Sequence, residues 1–483
     1  MAETLKEKTA KGLFWGAMNN GFMQVAGIAF GIVLGRLLVP EDFGLVAMIV
    51  VFSAIANVLQ NSGFFVALIN EKEPKESSYE AVLWFNIIMG LVLYAILFLC
   101  APLIANYYHE PRLVWLSRYA FLGIIVSSMG VAQAAYLYKT MKARQLAQAN
   151  MVAVLVSSTV AVVMAWAGCS YWAIATQTLL FSLIATIMRW YYSDWRPKWV
   201  SADFGFIRRQ LPFSVKILLS EMVTQVNNNV MNIVLGRYYG SHHTGQYNQA
   251  YQWNFKGYSL VQNMVKQVDQ TVLVSLGDER ERQLAVLRKM MRFTAFVSFP
   301  LLLGFGLVAK EFIVLAIGEK WLVSAGYIQT LCLSGAVLPL SALLSDLIVS
   351  HGRSDIFLYV NSGLLACQTV LLLGLHLIGC DIQTLVNGYV ALMTLWIFVW
   401  HHFARRLTSY SLLMFLKDTL PFALVSAVVM GVTGYVTKGI DSLWMLLFVR
   451  IVIAVALYVL AMTVLRVKIF RECISFVKSF RNT

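Results

Sequence analysis

Fourteen apolar stretches, each about long enough to cross a bilayer, run almost back to back through this chain of 483 residues. A spanning helix needs roughly 20 apolar residues. The spans fall near 12–38, 42–69, 80–106, 113–138, 146–167, 171–192, 211–238, 244–274, 290–316, 322–350, 355–378, 384–405, 416–437 and 443–466. In lipid every backbone N–H and C=O must be satisfied internally, which leaves helices for segments of this length. The expected fold class is therefore an all-α integral membrane protein with about 14 transmembrane helices. The longest connections, near 193–210 and 276–292, are too short for a soluble catalytic domain. Hydrophobic residues make up 59% and charged residues only 13%, a composition that would cover a soluble protein in apolar patches.

The formal net charge of +14 invites a nucleic-acid reading, but its placement argues for orientation instead. With the N-terminus on the cytoplasmic side, 27 of the 38 Lys and Arg fall on inner segments. Six fall on outer loops (Arg36, Arg112, Arg237, Lys310, Lys320, Lys438) and five within spans (Arg118, Lys216, Lys256, Lys266, Arg450). That is the positive-inside asymmetry, with both termini cytoplasmic. The inner surplus suits anionic membrane lipid, and no nucleic-acid partner is expected. The charged N-terminus leads into a full-length span, the pattern of a first helix and not of a cleavable signal. The six cysteines lack paired spacing and read as small apolar packing residues, and no metal or cofactor is expected.

A shift of 201 residues returns part of the chain. Gln24-Val25 maps on Gln225-Val226, Ile32-Val33-Leu34-Gly35-Arg36 on Ile233-Val234-Leu235-Gly236-Arg237, and Gly44 on Gly245, giving 8 identities in the 21 positions from 24 to 44. The shift spans six helices, an even number, so the copies would be parallel repeats about an axis along the membrane normal. The expected layout is two six-helix lobes plus two C-terminal helices. Residues 1–192 form the first lobe, 193–210 a basic linker, 211–405 the second lobe, 406–466 the last two spans, and 467–483 an interfacial amphipathic tail.

Polar stripes mark the interior. On the seventh span Glu221, Gln225, Asn228 and Asn232 share one helical face, with Lys216 a turn earlier. Asn20 and Gln24 stand on the first span, and Asn57 on the second. On the eighth span Gln249, Gln252, Lys256, Ser259, Asn263, Lys266 and Gln270 recur at steps of three and four. A charged group at mid-bilayer costs about 2.5–3.5 kcal/mol on insertion scales. A face carrying two lysines and several amides is thus expected to line a wet cavity shared by spans 1, 2, 7 and 8. Isolated amides such as Gln177 and Gln368 read as interhelical glue. The excess of lysine favours an anionic head group, a phosphate or pyrophosphate. Glu221 and Asp346 are the candidates for ion coupling.

The run Leu34-Gly35-Arg36-Leu37-Leu38-Val39-Pro40-Glu41-Asp42-Phe43-Gly44 is similar to the signature of bacterial polysaccharide flippases, within the multidrug/oligosaccharidyl-lipid/polysaccharide exporter superfamily. Gly318-Glu319-Lys320-Trp321 resembles a second, shorter element of that family. The resemblance implies two six-helix lobes, a central cavity and alternating access. It implies a cargo of polyprenyl-pyrophosphate-linked oligosaccharide, moved across the bacterial inner membrane, and contact with other polysaccharide-assembly proteins. Lys216 fits a cavity cation of the seventh helix, whereas the first span offers Asn19 and Asn20 where relatives place charge. The glycines of span 1 (Gly21, Gly27, Gly31, Gly35) would supply bending.

Two other classes compete. A multidrug cation antiporter of the same superfamily would want an acidic cavity, and only Glu221 speaks for it. A membrane-embedded polysaccharide-processing enzyme would want a long outer loop or a deep histidine with partners. His376 is the one histidine well within a span, near its outer end with no acid or nucleophile next to it in the sequence, and no nucleophile elbow or phosphate-cradling loop is evident, so no catalytic residue is expected.

Overall fold

The computed structural model describes residues 5–61, 74–198, 204–273 and 280–472, together with 65, 68, 69, 71 and 475. Every regular element among them is helical: α1 (Leu5–Leu37), α2 (Pro40–Asn61), α3 (Glu76–Tyr108), α4 (Leu113–Ala120), α5 (Leu122–Ser128), α6 (Val131–Lys139), α7 (Ala143–Trp166), α8 (Tyr171–Tyr192), α9 (Phe204–Leu273), α10 (Arg280–Ile317), a 3₁₀ turn (Glu319–Trp321), α11 (Leu322–Ser350), α12 (Ser354–Leu377), α13 (Ile382–Leu395), α14 (Ile397–Thr408), α15 (Leu412–Val436) and α16 (Leu443–Val464). Eleven helices are long and apolar enough to cross a membrane by themselves, or twelve when the bent run 113–139 counts as one span. Of the expected fourteen, the seventh and eighth fall outside that set. They are the two arms of α9, and their amides and lysines dilute the apolarity that marks the others. The amphipathic tail lies mostly outside the described residues.

The chain divides into two compact units, Met1–Asn248 and Gln249–Thr483. In the first, Leu45, Met48 and Ile49 of α2 pack with Ile104 and Tyr108 of α3, Leu113 and Leu116 of α4, and Phe121 and Ile124 beyond it. A second cluster joins Leu34 of α1 and Leu38 just beyond it to Ala161 and Ala165 of α7 and Ala173 of α8.

The expected fourth span is not one helix. It breaks after Ala120 and again after Ser128, and its parts 113–128 and 131–139 meet at 41°. The second break frees carbonyls, which side chains of neighbouring helices satisfy. Gln60 donates to the Ile124 carbonyl at 2.9 Å, Thr186 to that of Val126 at 3.2 Å, and Trp190 Nε1 to that of Met129 at 2.7 Å. Broken backbone at membrane depth needs such donors, because lipid supplies none.

In the second unit α10 packs along α11, α15 and α16, and α11 packs along α13 and α14. The expected twelfth span is likewise in two pieces, α13 and α14, meeting at Trp396. Buried charge holds the last two helices in place. Arg450 of α16 donates to Glu311 at 2.9 Å and to the Leu307 carbonyl at 3.1 Å, both on α10, and to the Thr437 hydroxyl after α15 at 3.1 Å. Nearer the other end, Arg288 of α10 grips Asp418 of α15 with two bonds of 2.8 and 3.1 Å, and Tyr410 donates to the same carboxylate at 3.1 Å.

Candidate transport site

The motif between α1 and α2 is a helix start built residue by residue. Pro40 opens α2, where its missing N–H costs nothing. Asp42 is buried, and its carboxylate accepts from the Val39 N–H at 3.1 Å and from the Ser170 hydroxyl. A carboxylate in the first turn also meets the positive end of the helix dipole. Phe43 packs with Leu34, Leu38 and Ala161. The second motif has an equally local account: Gly318 takes φ 102°, a conformation that favours glycine, and Trp321 is fully buried after it.

Gly44 has a different reason to be glycine. A Cβ there would overlap the carbonyl oxygen of Ser241, and a Cβ at Gly245 would overlap the carbonyl oxygen of Pro40. The 201-residue shift turns Pro40 into Ser241 and Gly44 into Gly245. The contact is therefore its own image, as across a local two-fold axis. Two helices approach until Cα hydrogens of one face carbonyls of the other, a close packing that only paired small residues permit in membranes. Near the axis stand Glu41 and His242, also equivalent under the shift, with Glu41 Oε1 2.6 Å from His242 Nδ1. Leu45, Met48, Thr244, Gln246 and Tyr247 are buried on either side. Gly236 continues the fit: a Cβ there would lie 2.8 Å from the Tyr108 ring and 2.9 Å from Met48 Cγ. Arg237 next to it bonds to the Tyr107 carbonyl and to His109, with its guanidinium 5.2 Å above the Tyr107 ring. The two α9 arms meet at Gly240, whose φ of 80° and ψ of 179° break the helix.

Below this crossing, the first arm of α9 carries the expected stripe. Asn232 is buried, Glu221 and Gln225 are half-buried, and Asn228 is exposed. The Asn229 amide is bonded to the Gln225 carbonyl at 2.9 Å. Asn20 of α1 is exposed, and Gln24 of α1 and Asn57 of α2 are half-buried. The Lys216 side chain lies outside the described residues. All of these belong to the first unit, and Gln252, Lys256, Asn263, Lys266 and Asp346 belong to the second.

On the second arm of α9 part of the stripe turns outward, whereas Gln249 and Ser259 of the same stripe are buried. Trp253, Asn254, Tyr258, Val261 and Val265 are buried and form the face turned to their own unit. Trp253 meets Phe312 of α10 edge-on at 5.0 Å, and Asn254 fits so tightly on Gly335 of α11 that a Cβ would overlap its amide oxygen. Gln252, Asn263 and Lys266 are exposed, and Lys256 is half-buried with its ammonium 4.6 Å over the Trp253 ring. At 100° per residue, these four project from the side opposite the packed face. Leu260, Met264 and Phe255 flank them and are exposed too. Among the described residues, no cluster of three or more His, Cys, Asp or Glu could hold a metal.

Sequence reasoning passed over the Glu41–His242 pair and Glu311. Both had a signal. A lone Arg450 in an apolar span demands a buried acid, and the repeat itself maps position 41 on position 242.

The profile of the polysaccharide biosynthesis protein family matches residues 33–326, more than half of the chain. The protein belongs to that family. Among curated relatives, the lipopolysaccharide biosynthesis protein WzxC of Escherichia coli is 25% identical over 73% of this chain and 72% of its own. The teichuronic acid biosynthesis protein TuaB of Bacillus subtilis is 25% identical over 79% and 78%. An uncharacterized membrane protein in the cps region of Klebsiella pneumoniae is 24% identical over 74% of each. Of solved structures, the lipid II flippase MurJ in an inward closed conformation matches with TM-score 0.76 and 15% identity, over 96% of this chain and 100% of the other. An inward-facing multidrug resistance MATE family transporter matches with TM-score 0.64 and 16% identity, over 80% and 94%. The protein therefore has the MurJ/MATE fold and is a multi-pass membrane protein.

Proposed function

We propose that this protein is a flippase. Its cargo is an oligosaccharide carried on a polyprenyl pyrophosphate, turned from the cytoplasmic to the outer leaflet of the bacterial inner membrane for polysaccharide export. In this reading the two arms of α9 are the seventh and eighth spans, which brings the count to fourteen and puts both termini in the cytoplasm. Residues 1–192 and 211–405 are the two lobes, 193–210 their linker, and 406–466 the final two spans. The lobes rock alternately open to either face.

One observation carries the reading. The amide and lysine stripe of α9's second arm lies on the side away from its own unit's packed face. Facing lipid, Lys256 and Lys266 alone would cost about 2.5–3.5 kcal/mol each; facing a wet cavity, they become a cationic wall for a pyrophosphate. Asn20, Gln24, Asn57, Lys216, Glu221, Gln225, Asn228 and Asn232 would supply the facing wall, where amides suit the hydroxyls of sugars. Glu221 and Asp346 are the residues available for ion coupling. The relatives support the cargo class: WzxC is a lipopolysaccharide biosynthesis protein, TuaB a teichuronic acid biosynthesis protein, and ExoT of Rhizobium meliloti a succinoglycan biosynthesis transport protein.

Analysis of carrier lipids after deletion tests this directly. A lipid-linked oligosaccharide should accumulate on the cytoplasmic leaflet, and its glycan names the cargo. Unchanged carrier lipids in the deletion strain would refute the flippase. Replacing Lys216, Lys256 or Lys266 with Ala should impair export at normal protein level. Normal surface polysaccharide in all three variants would remove the cationic wall.

A further inference from the structure

Of the five cations within spans, four have a place already. Lys216, Lys256 and Lys266 belong to the proposed cavity wall, and Arg450 is tied to Glu311 at 2.9 Å. Arg118 of α4 is the fifth. Among the described residues no carboxylate pairs with it, and its Nε is buried without a hydrogen-bond partner. An arginine inside a membrane ordinarily pairs with an acid or faces water. This one is held between two rings. Its guanidinium carbon lies 4.2 Å from the centre of the Phe98 ring of α3 and 5.1 Å from that of Trp115 of α4. The neighbouring surface is apolar and open to the membrane. Trp115 is 66% exposed, and Leu99 beside Phe98 and Leu103 a turn beyond it are exposed as well.

Arg118 stands five residues into α4, about 8 Å below the start of that helix at 1.5 Å per residue. Cα–Cβ bonds tilt toward a helix's N-terminus, so the side chain leans back to that end, over Trp115 one turn earlier. In the orientation proposed above, that end is the outer one. Outer loops carry few cations, so the positive-inside bias does not account for this arginine. A weakly hydrated guanidinium near headgroup depth, beside an apolar wall for acyl chains, matches a lipid phosphate, which would supply the counter-charge. One cation suits one phosphate, whereas a pyrophosphate calls for more. The acid nearest in sequence, Glu110, has both oxygens on Arg112 at 2.7 and 2.8 Å, and so offers nothing to the ammonium of a zwitterionic headgroup.

We propose that Arg118, cradled by Phe98 and Trp115, binds the phosphate of an anionic phospholipid in the outer leaflet. Phosphatidylglycerol fits, because its headgroup carries hydroxyls in place of an ammonium. Only the choice of leaflet rests on the transporter reading, through its orientation, and the site is independent of the cargo.

The test titrates the purified full-length protein, in a neutral detergent, with phosphatidylglycerol and reads bound lipid by native mass spectrometry. The tightest phosphatidylglycerol should be held at least tenfold more strongly than phosphatidylethanolamine. Arg118→Gln should weaken it at least tenfold. Trp115→Leu, at a position exposed enough to spare the fold, should weaken it about two- to fivefold, the contribution of an exposed cation–π contact. Equal retention by the parent and by Arg118→Gln would overturn the site. If Arg118→Gln does not fold, unchanged affinity in Trp115→Leu would overturn it instead. Undecaprenyl pyrophosphate displacing the bound lipid at lower concentration than phosphatidylglycerol itself would overturn the phospholipid assignment. None of these readouts involves the cargo, so unchanged carrier lipids in the deletion strain would refute the flippase and leave this site standing.

Discussion

The crossing of α2 with α9 in the first unit and the anchoring of α16 on α10 in the second both join helices far apart in sequence, yet by different means. At the crossing, two glycines bring backbone against backbone, and the one charge pair named there is half-exposed. At the anchor, the guanidinium of Arg450 is 16% exposed and the carboxylate of Glu311 is 4% exposed, and three bonds fix the arginine. A buried pair contributes little net stability compared with apolar packing, but losing one partner strands a charge and costs about 3–5 kcal/mol. The anchor is therefore intolerant of rearrangement. The crossing strands no buried charge of that kind. One molecule thus joins distant helices by backbone contact at one place and by buried charge at another.

Substitutions at the anchor give the largest expected effect and the surest way to break this contrast. Glu311→Ala should destabilise the detergent-solubilised protein by about 3–5 kcal/mol, read as a fall in Tm. Arg450→Leu together with Glu311→Leu should recover most of the loss, since an apolar pair leaves no stranded charge. If the double variant is as unstable as the single, the anchor is not a charge-balance device. Asp418→Asn should come next, at about 3 kcal/mol, because Arg288 and Tyr410 both lose an ionised acceptor.

Glycine substitutions sharpen the other side. Gly44→Ala should lower Tm by the equivalent of about 1–3 kcal/mol, the usual range for overpacking. Gly27→Ala in α1, where a Cβ meets nothing within 4 Å, should be neutral or raise stability by up to about 1 kcal/mol through helix propensity. Equal losses at both positions would mean that glycine serves general flexibility and not the crossing. The smallest expected effect is at Glu41→Gln, under about 1 kcal/mol in a thermal melt.

Much of this was legible in the sequence where one helix's chemistry decides the matter. Apolar length gave the spans, because lipid tests each helix separately. The polar face of α9's second arm followed from spacing alone, and Gln252, Lys256 and Asn263 do point away from the packed side. The repeat was visible at Gly35, Arg36 and Gly44, but nothing in one strand of letters says that a repeat touches its own copy. Glu41 read as a helix-start acid and His242 as a loop-edge histidine until the fold set them 2.6 Å apart. Glu311 hid for a related reason. Beside Lys310 at the end of a span it passes for a surface charge, and only the approach of a helix 139 residues later buries it. The break after Ser128 was also illegible, because its stabilising donors, Gln60, Thr186 and Trp190, sit on other helices.

The pairing of Glu41 with His242 bears on descent. If the chain arose by doubling of a shorter gene, the ancestral proteins met as identical partners, and whatever stood at this site met itself. Two glutamates there would have repelled, and two histidines would have had no counter-ion. Complementarity became available only after fusion freed each copy to mutate alone, so this spot records a step that a symmetric assembly could not have taken.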